Sequence, residues 1–307
     1  TVLMGGTLPL LTRLLTRSLG EMREKVAALY FINSAGGVIG IGLADFWWIE
    51  AIGLQATVMV GAVLNLTVGA LALFVSGFIR EGQAGPVANA SPVAAASGVV
   101  SDVELETYAP VDLRLAVLGI GLSGFVAMLY QVAWTRLLAL ALGSSTHAFS
   151  LMLITFITGL TVGAWIVHRW RSLRRSLAAF AWTELVLAVT VGLSLFFYEF
   201  LPYWFGRLAD LLARRPEAYG LYQGLQGLLC FAVMFVPTVW LGMTLPLVTR
   251  AATPSIERAG RTVGRVFAVN TLGTVLGAAL TGLWLLPRLG LAGTFVLGVA
   301  LNVLVGL

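Results

Sequence analysis

T7-L-P-L-L-T-R13 and T244-L-P-L-V-T-R250 are nearly the same heptad, written twice at an offset of 237 residues. Sliding the chain against itself at that offset extends the match far beyond the heptad. Residues 1–70 align with 238–307 without a gap, and 26 of the 70 positions are identical. The shared positions include Gly5/Gly242, Pro9/Pro246, Arg13/Arg250, Asn33/Asn270, Gly36/Gly273, Gly40/Gly277, Trp47/Trp284, Gly53/Gly290, Thr57/Thr294, Gly61/Gly298, Asn65/Asn302 and Gly69/Gly306. Leucine-rich segments match one another by chance, but chance does not favour Gly, Asn, Pro and Trp. The chain therefore contains an internal duplication.

Composition decides where such a chain lives. Of its 307 residues, 59% are hydrophobic and 11% charged, more apolar surface than a water-soluble core of this length hides. Apolar runs of the roughly 20 residues needed to cross a bilayer fall at about 25–49, 52–79, 115–142, 147–168, 176–199, 222–249, 264–286 and 289–307, with a further run at 1–12. The sequence thus predicts an all-α polytopic membrane protein with the lipid bilayer as its main partner. Thr1 is no initiator methionine and the chain reads as a fragment. If the first copy matched the second throughout, roughly 120 residues would precede Thr1.

The second copy holds six spans, an even number, so both copies share one orientation, as in the parallel six-helix halves of major facilitator transporters. The expected fold is two parallel six-helix repeats, the first incomplete: 1–79 the end of the first repeat, 80–113 a flexible Ala-, Gly-, Pro- and Ser-rich linker, and 114–307 the second repeat. The net charge of +5 does not point to nucleic acid here, because the basic residues flank spans. Fourteen of the nineteen Lys and Arg residues fall on the side that holds Arg13 to Lys25. The positive-inside bias makes that side, and with it the C-terminus, cytoplasmic in a bacterial inner membrane. On the other side, L201-P-Y-W-F-G-R-L-A-D-L-L212 sets Trp204, Leu208, Leu211 and Leu212 on one helical face and reads as an interfacial helix.

Few residues could carry chemistry. Arg136 lies within a span and calls for a partner, since an intramembrane charge is by default a functional-site hypothesis. Asp45 and Glu184 are the carboxylates within spans, and depth favours pairing Asp45 with Arg136. Tyr130 and Gln131 precede Arg136 on the same segment, and His147 follows in G143-S-S-T-H-A-F-S150. These six form the expected intramembrane polar site. The Asn residues among glycines suit close helix packing. Pro9 and Pro246, each four residues before Arg13 or Arg250, are expected to break their helices near the cytoplasmic end as a repeated gate or fold signature, together with Asn33 and Asn270. The single Cys230 sits in an apolar run and has neither a disulfide partner nor metal-ligand spacing. No motif for a catalytic centre, metal or cofactor occurs, so none is expected within this chain.

The strings Y130-Q-V-A-W-T-R136, G143-S-S-T-H-A-F-S150, G159-L-T-V-G163, L241-G-M-T-L-P-L247 and N270-T-L-G-T-V-L-G277 resemble the membrane part of bacterial proteins that fuse a facilitator-like domain to a spermidine-synthase-like domain. The resemblance covers most of 114–307, and 1–70 through the repeated motifs. It implies a cytoplasmic aminopropyltransferase-like domain after the last span, to which any such enzyme activity would belong. One departure is that V167-H-R-W-R-S-L-R-R175 is basic but lacks the acidic residue that facilitators tend to carry in that loop. Two functions stay open: a membrane anchor, scaffold or accessory subunit holding a fused domain or other subunits, which the scarcity of buried charge favours, and a facilitator-like transporter or binding domain for a small molecule such as a polyamine.

Overall fold

In a computed structural model the described residues, 19–81, 108–143, 145–170, 173, 175–212, 219–253 and 256–307, are helical with no strand among them. The helices are α1 (Leu19–Leu43), α2 (Ile49–Glu81), α3 (Pro110–Leu142), α4 (Thr146–Arg169), α5 (Ser176–Tyr198), α6 (Leu201–Leu212), α7 (Tyr219–Ala252), α8 (Ile256–Leu280) and α9 (Leu286–Gly306). Helix α2 runs on to Glu81 and α3 starts at Pro110, so the expected linker is shorter at both ends. Its middle lies outside the described residues, as do Pro9 and Arg13.

Among the described residues, six helical stretches are long and apolar enough to cross a membrane, as a multi-pass membrane protein requires. Two of them, Val26–Ser76 and Arg261–Gly306, contain 51 and 46 residues. At 1.5 Å per residue each is more than twice the ~30 Å of hydrocarbon. Large apolar side chains cover the exterior: Leu283, Phe196, Phe197 and Trp182 are all exposed. On a water-soluble surface such a patch would drive association; against lipid it costs nothing.

The duplication is visible in the backbone. Helix α1 begins and ends at positions equivalent to those of α8, and each is followed by a five-residue π-helical turn, Ala44–Trp48 and Thr281–Leu285. Each π-turn is followed by a glycine in a left-handed conformation, Gly53 at φ 80° and Gly290 at φ 68°. Only glycine adopts such angles without a Cβ clash. One turn later Thr57 and Thr294 donate their hydroxyls to the carbonyls of Gly53 and Gly290, at 2.8 and 2.6 Å. All of these pairs stand at the offset that relates the two heptads.

The chain divides into two compact units, Thr1–Gly42 with Leu105–Leu307, and Leu43–Glu104. In the larger unit, α3 is the central helix. A Cβ added to Gly273 would strike the backbone of Gly121, and one added to Gly277 the backbone of Phe125, so α8 runs parallel to α3 at small-residue distance. Helix α9 runs the opposite way: Gly298 meets Tyr130, whereas Val305 approaches Gly119. The chain reverses between them, through the second π-turn and Gly290, and the 46-residue stretch makes two passes along α3.

The other close pairings are α4 with α7, where Gly159, Gly163 and Gly242 bring the backbones together, and α5 with α9. If the helices from α3 to α9, without α6, are numbered one to six, the main pairs are 1–5, 2–4, 3–6, 3–4 and 1–6. Exchanging the first three with the last three reproduces the same set.

One expectation needs correction. Helix α7 runs unbroken through both Pro237 and Pro246. Pro246 still removes one N–H from the ladder, but neighbouring hydroxyls bond the same stretch of backbone, Thr244 to Leu241 O at 2.8 Å and Thr249 to Leu245 O at 2.7 Å. Helix α6 buries Leu201 and Phe205 and turns Tyr203 and Trp204 outward.

Candidate functional site

The polar core of the larger unit is built around Tyr130. Its ring is fully buried, stacked on Phe295 at 6.0 Å and tilted against Trp134 at 5.5 Å. Asn302 of α9 donates its amide to the Tyr130 hydroxyl at 2.9 Å. Behind the aromatic group, Trp134 Nε1 and Ser194 Oγ both donate to the Tyr198 hydroxyl, at 2.7 and 2.8 Å. These bonds tie α3 to α5 and α9.

Glu184 of α5 is 0% exposed and lies near Tyr130. Ser123 of α3 approaches its carboxyl without a hydrogen bond of good geometry, and both carboxyl oxygens lack a hydrogen-bond partner. The Asn302 Oδ1 is likewise buried without one. An ionised carboxylate buried without a counter-charge costs several kcal/mol, so such a group takes up a proton or a cation. Ser123 is the polar side chain beside that carboxyl.

Ser123 also lines a cavity of about 120 Å³. Tyr30 of α1 lines it too, as do Thr244 and Asn270, members of the two repeated motifs. Asn270 presses on α3, where a Cβ on Gly124 would come within 2.6 Å of both its carbonyl and its Oδ1. The cavity therefore lies where the motifs meet.

The expected site residues separate. Tyr130 and Glu184 come together; Gln131 is half-buried, and its carbonyl accepts the Thr135 hydroxyl at 2.8 Å. Arg136 is exposed on the bundle surface, where a long side chain can lie along lipid with its head directed outward. His147 is half-buried in the first turn of α4, which Ser145 caps by accepting from Ala148 N at 3.1 Å. Asp45 is buried in the first π-turn, which belongs to the smaller unit, so its pairing with Arg136 stays an expectation.

Asn33 is exposed, while Pro246 is buried in α7. Arg250, at the end of α7, donates Nη1 to Trp170 O at 3.2 Å and Nη2 to Leu173 O at 2.7 Å, which ties down the basic loop. Sequence reasoning passed over Ser123 as a site residue and read Asn302 as packing. Cys230 is buried core. No group of three or more His, Cys, Asp or Glu side chains suited to a metal occurs among the described residues.

No family model, curated protein or solved structure matches the chain.

Proposed function

We propose that this chain is a facilitator-like membrane domain that binds a small solute and moves it together with a proton or monovalent cation held at Glu184. The single observation that carries this reading is Glu184, fully buried among spans with both oxygens unpartnered, one residue away from a cavity through Ser123. An intramembrane acid without a structural partner is a functional group by default. The triplet-exchange pattern of helix pairs is the one expected of inverted triplets nested in a six-helix half. Charge bias supports a bacterial inner-membrane setting with a cytoplasmic C-terminus.

The sequence resemblance makes polyamines and shorter amines the first solutes to try. Carbodiimide labelling tests the site. Dicyclohexylcarbodiimide, which attacks protonated carboxyls in apolar surroundings, is expected to modify Glu184, and saturating amine or sodium to reduce that labelling. An unmodified Glu184, or labelling indifferent to every solute and to sodium, counts against the reading.

A second reading, a rigid anchor for a fused synthase-like domain or for other subunits, is favoured by the backbone contacts at Gly121, Gly163 and Gly242. It predicts that the intact natural protein loses its attachment, and not solute movement, when α3–α8 packing is disturbed.

A further inference from the structure

The cavity that Ser123 lines is small, without charge and well supplied with acceptors. Its volume is about 120 Å³. An apolar cavity of about 150 Å³ holds benzene, so an occupant here has at most about six non-hydrogen atoms. Met128, Phe156 and Leu160 give apolar walls, and no charged residue is among the described lining. All of the described lining residues belong to the larger unit.

The polar part of the wall favours a ligand that donates. Thr244 gives its hydroxyl hydrogen to Leu241 O, and Thr274 gives its own to Thr271 O, both at 2.8 Å. A hydroxyl has one hydrogen and two lone pairs, so toward a ligand both threonines can only accept. Tyr30, Ser123 and Asn270, which also line the cavity, can accept as well. Ser123 in addition adjoins the carboxyl of Glu184.

A carboxylate or phosphate would meet acceptors and no counter-charge, which makes its burial costly. An ammonium brings three donors and no acceptor, and Glu184 can balance one positive charge. A second ammonium on the same molecule would be left beside Met128, Phe156 and Leu160 without a partner.

We infer that this cavity is a binding site for a primary monoamine with a compact apolar body of about three to five carbons, and that it turns away diamines, longer polyamines and acids. The inference deepens the reading of Glu184 as an ion-holding acid and rests on it for the balancing charge alone.

The test is protection of an introduced thiol in the full natural protein. Thr274→Cys in a Cys230→Ser background is treated with methyl methanethiosulfonate, alone and with butylamine, diaminobutane, butanol or butyrate, four-carbon solutes that differ only at their ends. Butylamine is expected to slow modification severalfold, and the other three to leave it nearly unchanged. At Leu272→Cys, exposed on the same helix, none of the four is expected to matter. Equal protection by diaminobutane, butanol or butyrate, or none by butylamine, would overturn the inference. Failure of the two readings looks different. Absence of butylamine protection beside an amine-driven current that Glu184→Gln abolishes removes the monoamine site alone. Butylamine protection that persists undiminished in Glu184→Gln keeps the site and overturns the reading of Glu184. If Thr274→Cys does not accumulate, Ala127→Cys, at another lining position, takes its place with the same expectations.

Discussion

Tyr30 and Phe267, equivalent residues of the two copies, meet edge-on with their ring centroids 6.4 Å apart. Val26 and Val263, another equivalent pair, are buried together in one cluster beside Phe267. Residues that touch their own equivalents lie on the symmetry element relating the copies, so a local two-fold passes between α1 and α8. A bifunctional methanethiosulfonate is expected to join Tyr30→Cys to Phe267→Cys in a Cys230→Ser background, and to leave Tyr30→Cys with Leu272→Cys unjoined. Equal yields from both pairs would remove the two-fold contact.

Glycine packing sets the α3–α8 distance. Gly273→Val forces a side chain into the backbone of Gly121, and overpacking of this kind typically costs about 1–3 kcal/mol; against backbone the upper end applies. Size-exclusion in detergent is expected to show loss of the monodisperse species. Gly264→Val, on the same helix but facing open space, is expected to behave as the parent chain.

The Asn302–Tyr130 bond is a stabilising contact between α9 and α3. Interhelical hydrogen bonds within membranes average about 0.6 kcal/mol and reach about 1.7 kcal/mol. A double-mutant cycle with Tyr130→Phe and Asn302→Leu, read by thermal or denaturant unfolding, is expected to give a coupling in that range. A coupling near zero would mean that the two groups do not bond.

Arg250 fastens the basic loop after α4 through the carbonyls of Trp170 and Leu173. Arg250→Ala removes both bonds, so trypsin cleavage at the arginines of 169–175 is expected to quicken severalfold. Unchanged cleavage would show that other contacts hold the loop.

What the sequence revealed follows from how strongly each signal is encoded. Apolar helical stretches and the duplication were legible because hydropathy and Gly, Pro and Asn placement are local. The π-turns at Ala44–Trp48 and Thr281–Leu285 were not, since A44-D-F-W-W48 and T281-G-L-W-L285 share only one residue, Trp47/Trp284. Their bond register is a property of backbone at the bend. The continuity of α7 through Pro246 was missed because close packing on α4 holds the helix although one bond is lost. The Glu184 site required tertiary information: Ser123, Tyr130 and Asn302 come from two further helices, and Ser123 and Asn302 are 179 positions apart.

The most direct test of the proposed function is current across a solid-supported membrane carrying the reconstituted protein. Solutes are drawn from a panel of mono-, di- and polyamines and applied as concentration jumps under a proton or sodium gradient. At least one solute is expected to drive a current that falls more than tenfold in Glu184→Gln, while that variant keeps the parent elution profile. A current equally large in Glu184→Gln, or none with any solute in the parent protein, would contradict the assignment of Glu184 as the carrier of a coupled ion.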